Sequence, residues 1–300
     1  MKIAAGIVLM NPQIERLENN ISSVINQVDY LCLIDNHSEN IAEIKQLITK
    51  FTNIILVEFK ENKGIAFALN RIVDFADNNK CEWVLTLDQD SICPNNLIDE
   101  YKKYFGYDSD VAMFTPKIVD LNEGNGSAVD CKGDFEYVER CITSAGLLNV
   151  KASRTIGNFD EKMFIDYVDF DLCQNLLNHG YKILRVNTAG LVHEVGNAQK
   201  ITLFNHIGKV FKIKKLQKPI YTYNHSPLRT YYYVRNTLYY IAKYKDTINV
   251  AAEKRCLIRW LALKILFEKE KKAKIKATVK GIRDSKILIK ELQNTLKGAK

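Results

Sequence analysis

Apolar residues recur along the first 115 positions with two different periods. Runs of strand length occur at residues 3–9, 30–34, 54–58, 83–87 and 111–115. Between them, apolar positions fall at helical spacing over 14–26, 41–50, 65–78 and 97–105. Strand-like runs alternating with helical ones predict βαβ units, and hence an α/β fold with a mostly parallel sheet flanked by helices on both faces. After Lys117 the rhythm loosens. Gly124-Asn125-Gly126 predicts a turn, 141–150 a strand, 167–178 a helix, and 181–186 and 189–193 two short strands. From residue 228 onward the pattern is helical, over 228–244, 250–270 and 271–296. The chain thus divides into a ligand-binding domain over 1–225 and a helical, basic C-terminal region over 226–300.

Composition changes this picture in one place. The 300 residues carry a net charge of +8 with 47% hydrophobic residues, enough for a sizeable core. Residues 253–300 contain 15 Lys or Arg against 5 Asp or Glu, so the body before them is nearly neutral. A basic tail of this kind suits a polyanionic surface, membrane lipid or nucleic acid, or else a solvated helical face. The longest apolar stretch in it, 256–267, is interrupted by Arg259 and Lys264 and is too short and too charged to span a bilayer. Seven scattered cysteines without a Cys-x-x-Cys pair fit reduced cytosolic thiols, and the first residues show no cleavage-site pattern of a signal peptide.

Parallel sheets bind ligands beyond the carboxyl ends of their strands. The residues just past those ends are Asn11, Asp35-Asn36-His37-Ser38, Asn62-Lys63-Gly64 and Asp88-Gln89-Asp90-Ser91. Asp88 and Asp90, two residues apart, can turn toward one hard cation, Mg²⁺ or Mn²⁺, while phosphate oxygens complete its shell. The same run can also be a capped turn leading into the helix after Pro94. A carboxylate at Asp35 can accept the N–H of a pyrimidine base. Gly64 precedes a helix start, where backbone can approach an anion closely, although simple turn chemistry accounts for it equally. Farther on, Asp166, Asp169 and Asp171 lie in the apolar run Phe164–Leu172. Acids at a helix start serve either as caps or as a general base. His193-Glu194 closes a strand, and its histidine can be a metal or phosphate ligand or an ordinary structural residue.

The order of Asp35-Asn36-x-Ser38, Asn62-x-Gly64, Asn70, Asp88-Gln89-Asp90-Ser91, Ser144-Ala145-Gly146, Asp169-Phe170-Asp171-Leu172 and His193 resembles family-2 inverting glycosyltransferases with the GT-A fold. The resemblance covers about residues 3–245. Asp-Gln-Asp-Ser, Ile165-Asp166-Tyr167-Val168-Asp169 and Arg229-x-Tyr231-Tyr232-x-x-Arg235-Asn236 resemble the rhamnosyltransferase branch. It implies that Asn11, Asp35, Asn36, Asn62, Gly64, Asn70, Asp88 and Gln89 hold the nucleotide sugar. Asp88 and Asp90, with His193, would hold the metal. Asp169 would be the base, and Ser144, Gly146, Asp166, Arg229 and Arg235 would face the acceptor. Val168 and Asn175 stand where many relatives carry Glu and Arg.

The implied reaction is a single displacement. Asp169 takes the acceptor proton, the sugar–phosphate bond breaks on the opposite face, and no enzyme nucleophile is needed. With dTDP-β-L-rhamnose as donor the product would be an α-L-rhamnoside, and a UDP-hexose or UDP-galactofuranose is the alternative donor. The implied acceptor is a saccharide carried on undecaprenyl diphosphate, in cell-surface polysaccharide synthesis. The enzyme would be cytoplasmic, peripheral on the inner membrane face. Leu257, Trp260, Leu261 and Ile265 can share an apolar face flanked by Lys and Arg, as in helices lying among headgroups; packing on protein, including a second copy in a homo-oligomer, is the alternative.

Two other classes are disfavoured. In haloacid-dehalogenase-type phosphatases an Asp-x-Asp sits on the first strand and is followed by Gly-Thr or a similar pair. Here it follows the fourth strand and precedes Ser91-Ile92. A nucleic-acid-binding module would rest on the tail alone, against a near-neutral body with acidic strand ends.

Overall fold

The computed structural model describes residues 1–120, 133–193, 199–201 and 220–298. The chain forms two compact units, Met1–Glu194 and Val195–Lys300.

The first unit is built on an eight-stranded mixed sheet. Its strands are β1 (Ile3–Leu9), β2 (Tyr30–Asp35), β3 (Ile54–Glu58), β4 (Trp83–Asp88), β5 (Val111–Asp120), β6 (Phe135–Val138), β7 (Gly146–Asn149) and β8 (Lys182–His193). They lie in the order β3-β2-β1-β4-β7-β5-β8-β6. The pairs β1–β2, β1–β4, β2–β3 and β5–β8 are parallel, whereas β7 runs antiparallel between β4 and β5 and β6 runs antiparallel beside β8. Helices α1 (Ile14–Val24), α2 (Ile41–Ile48), α3 (Ile65–Asn78), α4 (Leu97–Lys102), α5 (Val150–Thr155) and α6 (Val168–Asn178) connect and cover them. Burial explains why β1 reads as a continuous apolar run: all seven of its residues are buried. Leu17, Ile21 and Val24 of α1 and Ile44 and Leu47 of α2 join one core with the sheet. Helix α3 presses so close to β1 that a Cβ on Gly6 would lie 2.4 Å from Ile72.

The expected strand 141–150 is shorter, because residues 141–143 are irregular, Ser144-Ala145 turn, and only Gly146–Asn149 pair. The strand expected to stop at 115 continues through Pro116 to Asp120. Its register against β8 slips there, with Pro116 opposite Val186 and Lys117 opposite Gly190. The two short strands expected over 181–193 are therefore one, interrupted by Asn187-Thr188-Ala189. Asn187 donates to the Gly133 carbonyl and Thr188 to Glu100, which hold this irregularity in place. The Gly124-Asn125-Gly126 turn lies outside the described residues.

The second unit holds a two-stranded antiparallel ribbon, β9 (Gln199–Ile201) and β10 (Ile220–Thr222), with α7 (Pro227–Lys243), α8 (Val250–Phe267) and α9 (Lys271–Gly298). Ser226 caps α7 with Pro227 in its first turn, and Asn249 caps α8. The carboxylate of Glu268 ties the unit together. It accepts from Lys264 (2.6 Å), Lys274 (2.7 Å), the Thr222 hydroxyl and the Asn224 amide (2.9 Å). Burial alone would raise its pKa, but the bonds from Lys264, Lys274 and Thr222 hold it at about 2. Among the described residues, no helix is long and apolar enough to cross a membrane.

Candidate active site

Parallel register sets the site. Leu9 of β1 stands opposite Asp35, and Val8 opposite Asp88, so both carboxylates arrive at one edge of the sheet, either side of β1. Around Asp35 the polar side chains are held by two local sets of hydrogen bonds, mostly to backbone amides. Both Asp35 oxygens accept from the Ser38 amide, at 3.3 and 3.1 Å. The Ser38 hydroxyl accepts from the Asn11 amide, and the Asn11 side chain accepts from Glu39. Asn36 donates to Asn62 at 3.0 Å and accepts from the Lys63 amide, while Asn62 accepts from the Gly64 amide. Gln89 pairs with both backbone groups of Met10, next to Asn11. Asn11, Asp35, Asn36, Asn62, Gly64 and Gln89 therefore occupy one contiguous rim, with Asp35 and Asn36 buried.

Gly64 does its work differently from the sequence expectation. It has φ +86°, and a Cβ there would stand 2.6 Å from the Phe164 carbonyl and from the Phe164 ring. What approaches its backbone is another part of the chain. The first free amide of α3, on Ile65, donates to that same Phe164 carbonyl at 2.7 Å. Asn70 also serves the fold: its amide donates to the Phe159 carbonyl and to Glu161 and accepts from the Phe159 amide, away from the strand-end rim.

The contact of Phe164 with α3 anchors the segment that presents Asp169. Asp166 and Tyr167 both adopt left-handed backbone, φ 65° and 67°, and the chain turns directly into α6 at Val168. Asp166 thus stands before the helix, and Asp169 within it. Asp169 lies in the first turn of α6, half-buried, and accepts from the Thr143 hydroxyl at 3.3 Å. Burial pushes its pKa up to about 7, with the charges of Asp88 and Asp166 adding to the rise and Thr143 opposing it. Asp171 is buried.

Ser144 and Gly146, expected at the acceptor, lie inside. The Ser144 hydroxyl, buried, is 2.6 Å from Ser91 Oγ and accepts from the Asp88 amide at 3.2 Å, so it supports Asp88 from beneath. A Cβ on Gly146 would meet Met113 at 2.4 Å and the Thr143 carbonyl at 2.9 Å. Two further supports escaped the sequence reading. Thr143 holds Asp169, and its carbonyl accepts from Thr86 at 2.7 Å. Asn20 donates to the Asp88 carbonyl at 2.7 Å. The available signal for Asn20 was a polar residue on the apolar stripe Leu17, Ile21, Val24 of α1.

Asp88, the last residue of β4, is half-buried, and Asp90, in the turn that follows, is exposed. Hard oxygen donors beside the carboxylates of Asp166 and Asp169 fit a hard divalent cation, whose charge would offset theirs. Among the described residues no three His, Cys, Asp or Glu side chains converge as a metal cage. The His193 side chain lies outside the described residues; its backbone ends β8 opposite Asp120. Arg229 and Arg235 belong to α7 of the second unit, where Arg235 packs over the Tyr232 ring at 4.7 Å. Asn175, at the place of an arginine in many relatives, donates to the Ile156 carbonyl.

An α/β sheet with carboxylates gathered at the ends of its parallel strands, and an aspartate at an adjoining helix start, is the arrangement expected of a GT-A-type sugar transferase. Residues 7–158 match the family model for glycosyl transferase family 2, and the chain belongs to that family. Over 254 residues it is 26% identical to the dTDP-rhamnosyl transferase RfbF of Shigella flexneri, covering 80% of each chain. The fold matches the mannosyltransferase PcManGT from Pyrobaculum calidifontis, solved with GDP-Man and Mn²⁺, with TM-score 0.57 and 13% identity over 99% of this chain and 80% of that one. It also matches GalNAc-T7, solved with UDP, GalNAc and Mn²⁺, with TM-score 0.55 and 13% identity. That alignment takes in 88% of this chain and spans 57% of the GalNAc-T7 chain.

Proposed function

We propose that the protein is an inverting, metal-dependent rhamnosyltransferase that moves L-rhamnose from dTDP-L-rhamnose to a hydroxyl of a saccharide acceptor. The carrying observation is Asp169, a half-buried carboxylate at the sheet edge that holds Asp88, with its pKa near the working pH of a general base. Asp169 accepts the proton of the acceptor hydroxyl as that oxygen attacks the anomeric carbon. The bond to the diphosphate breaks on the far face, so configuration inverts and no covalent enzyme intermediate forms. The rim residues Asp35, Asn36 and Asn62 offer their remaining acceptor and donor capacity to the nucleoside. Mg²⁺ or Mn²⁺, held by Asp88 and Asp90, would stabilise the departing diphosphate.

The name of the Shigella relative supports the rhamnosyl donor, and the Mn²⁺ in the two solved structures supports divalent metal use. We further place the acceptor on a lipid diphosphate at the cytoplasmic membrane face, in cell-surface polysaccharide synthesis. The second unit's surface favours this. Ile258, Leu266, Ile275, Val279 and Ile282 are exposed among Lys272, Lys276, Lys280 and Arg283. The face first expected to meet lipid is instead used for packing: Leu257 is buried, and Trp260 stacks on Tyr233 of α7 at 3.9 Å between centroids.

Thermal shift with nucleotide sugars and Mn²⁺ tests the donor, since a ligand of the native state raises its stability. dTDP-L-rhamnose should raise the melting temperature more than UDP-glucose, UDP-galactofuranose or GDP-mannose. A larger shift with a UDP sugar would discard rhamnose while leaving the family intact.

A further inference from the structure

Within the last half of β5 the same sheet edge opens into a second recess. Its cavity of about 350 Å³ is lined by Lys117 and Ile118 of β5, Arg140 and Cys141 of the segment before β7, Phe170 of α6 and Arg185 of β8. Its position follows from the strand order. Asp35, Asp88 and the Thr143–Ser144 turn succeed one another along the edge from β2 to β7, and β5 is the next strand. Cys141 precedes Thr143 by two residues, and Phe170 follows Asp169 directly. The cavity therefore adjoins the base on the side away from the Asp35 rim.

The lining has a definite chemistry. Three cations, Lys117, Arg140 and Arg185, border one small cavity whose other walls include Ile118 and Phe170. Arg140 lies over the Phe170 ring at 5.0 Å, a cation–π contact on the wall of the cavity. Arg185 pairs with Glu136 at 2.6 Å through one terminal nitrogen, while its buried Nε finds no acceptor among the described residues. That leaves the pair imperfect as a purely structural contact, since an unmet buried donor is destabilising. Glu136 offsets part of this charge, and a polyvalent anion with several acceptor oxygens suits the remaining donors of such a cluster.

We propose that this cavity, lined by Lys117, Arg140 and Arg185, is an acceptor subsite that binds a diphosphate group carried by the acceptor. It rests on the reading of Asp169 as the base that faces the acceptor. The donor's diphosphate belongs at Asp88 and Asp90 with the metal, so the two anions are kept apart by the Thr143–Ser144 turn. A saccharide linked to a diphosphate then reaches from this cavity to Asp169, and the anion sets which hydroxyl arrives there.

The test is calorimetric titration of inorganic pyrophosphate into the full chain in EDTA, with no donor present. The wild type should bind one pyrophosphate. A Lys117→Gln/Arg140→Gln variant should bind it about tenfold or more weakly, the loss expected for two charge-assisted contacts. Lys117→Arg/Arg140→Lys, which keeps both charges, should retain binding, and circular dichroism melts check that all three are folded. Geranyl diphosphate distinguishes the source: tighter binding than pyrophosphate marks a lipid-borne diphosphate, and equal binding a soluble one. Absence of wild-type binding, equal binding by the Gln variant, or a preference for glucuronate over pyrophosphate would overturn the assignment. Because this readout needs no turnover, a protein that binds pyrophosphate as described yet transfers no sugar would refute the proposed reaction and leave the anion site standing.

Discussion

Asp169 owes its properties to its setting more than to its type. The same carboxyl on an open surface would ionise near pH 4, whereas burial and the charges of Asp88 and Asp166 move it to about 7. A pKa raised in the folded state means that the native protein holds the proton more tightly than the unfolded chain does. Its contribution to stability is then full below about pH 4 and is lost as the pH climbs toward 7. Asp169→Asn should therefore melt higher than the wild type at pH 8 in metal-free, donor-free buffer, with the gap closing toward pH 4. A gap that widens toward low pH would contradict the burial. Residue types at the strand ends were legible from sequence because loops after parallel strands carry ligands. Their division of labour was not. Ser144, Gly146 and Asn70 stand in the recognised pattern, yet Ser144 supports Asp88 from the interior and Asn70 tethers Phe159. Sequence order cannot tell a side chain under the site from one facing it.

Elements were legible where one period ran undisturbed. Helix α3 occupies the expected span, and β1, β3 and the C-terminal helices follow closely. Departures arose where tertiary pairing overrode local signals: Pro116 is tolerated inside β5 by a register slip, and β6 pairs only because β8 offers it an edge. The start of α3 shows how one element places another. Gly64 lets Phe164 dock on the first turn of α3, and Phe164 leads through two left-handed residues into the helix bearing Asp169. Gly64→Ala adds a Cβ at φ +86° against a backbone carbonyl, a strain of about 1–3 kcal/mol. The variant should melt lower and lose kcat more than donor affinity, read by steady-state kinetics beside donor titration. Unchanged kcat would show that the docking of Phe164 does not position the base.

At the scale of the whole chain, the mixed sheet of the first unit gathers the candidate donor rim and base, and the second unit is held by a buried charge cluster. Removing the Glu268 carboxylate would strand Lys264 and Lys274, both buried. Glu268→Ala should therefore cost roughly 3–5 kcal/mol in urea unfolding of that unit, and an unchanged midpoint would contradict the cluster's role. The catalytic account makes its strongest demand on the first unit. The measurement that tests it most directly is turnover of dTDP-L-rhamnose with Mn²⁺ by the wild type and Asp169→Asn, with donor binding measured alongside. The account predicts a turnover roughly 10²–10⁴-fold lower in the variant, the usual contribution of general-base catalysis, at unchanged donor affinity. An Asp169→Asn protein that turns over like the wild type would contradict it.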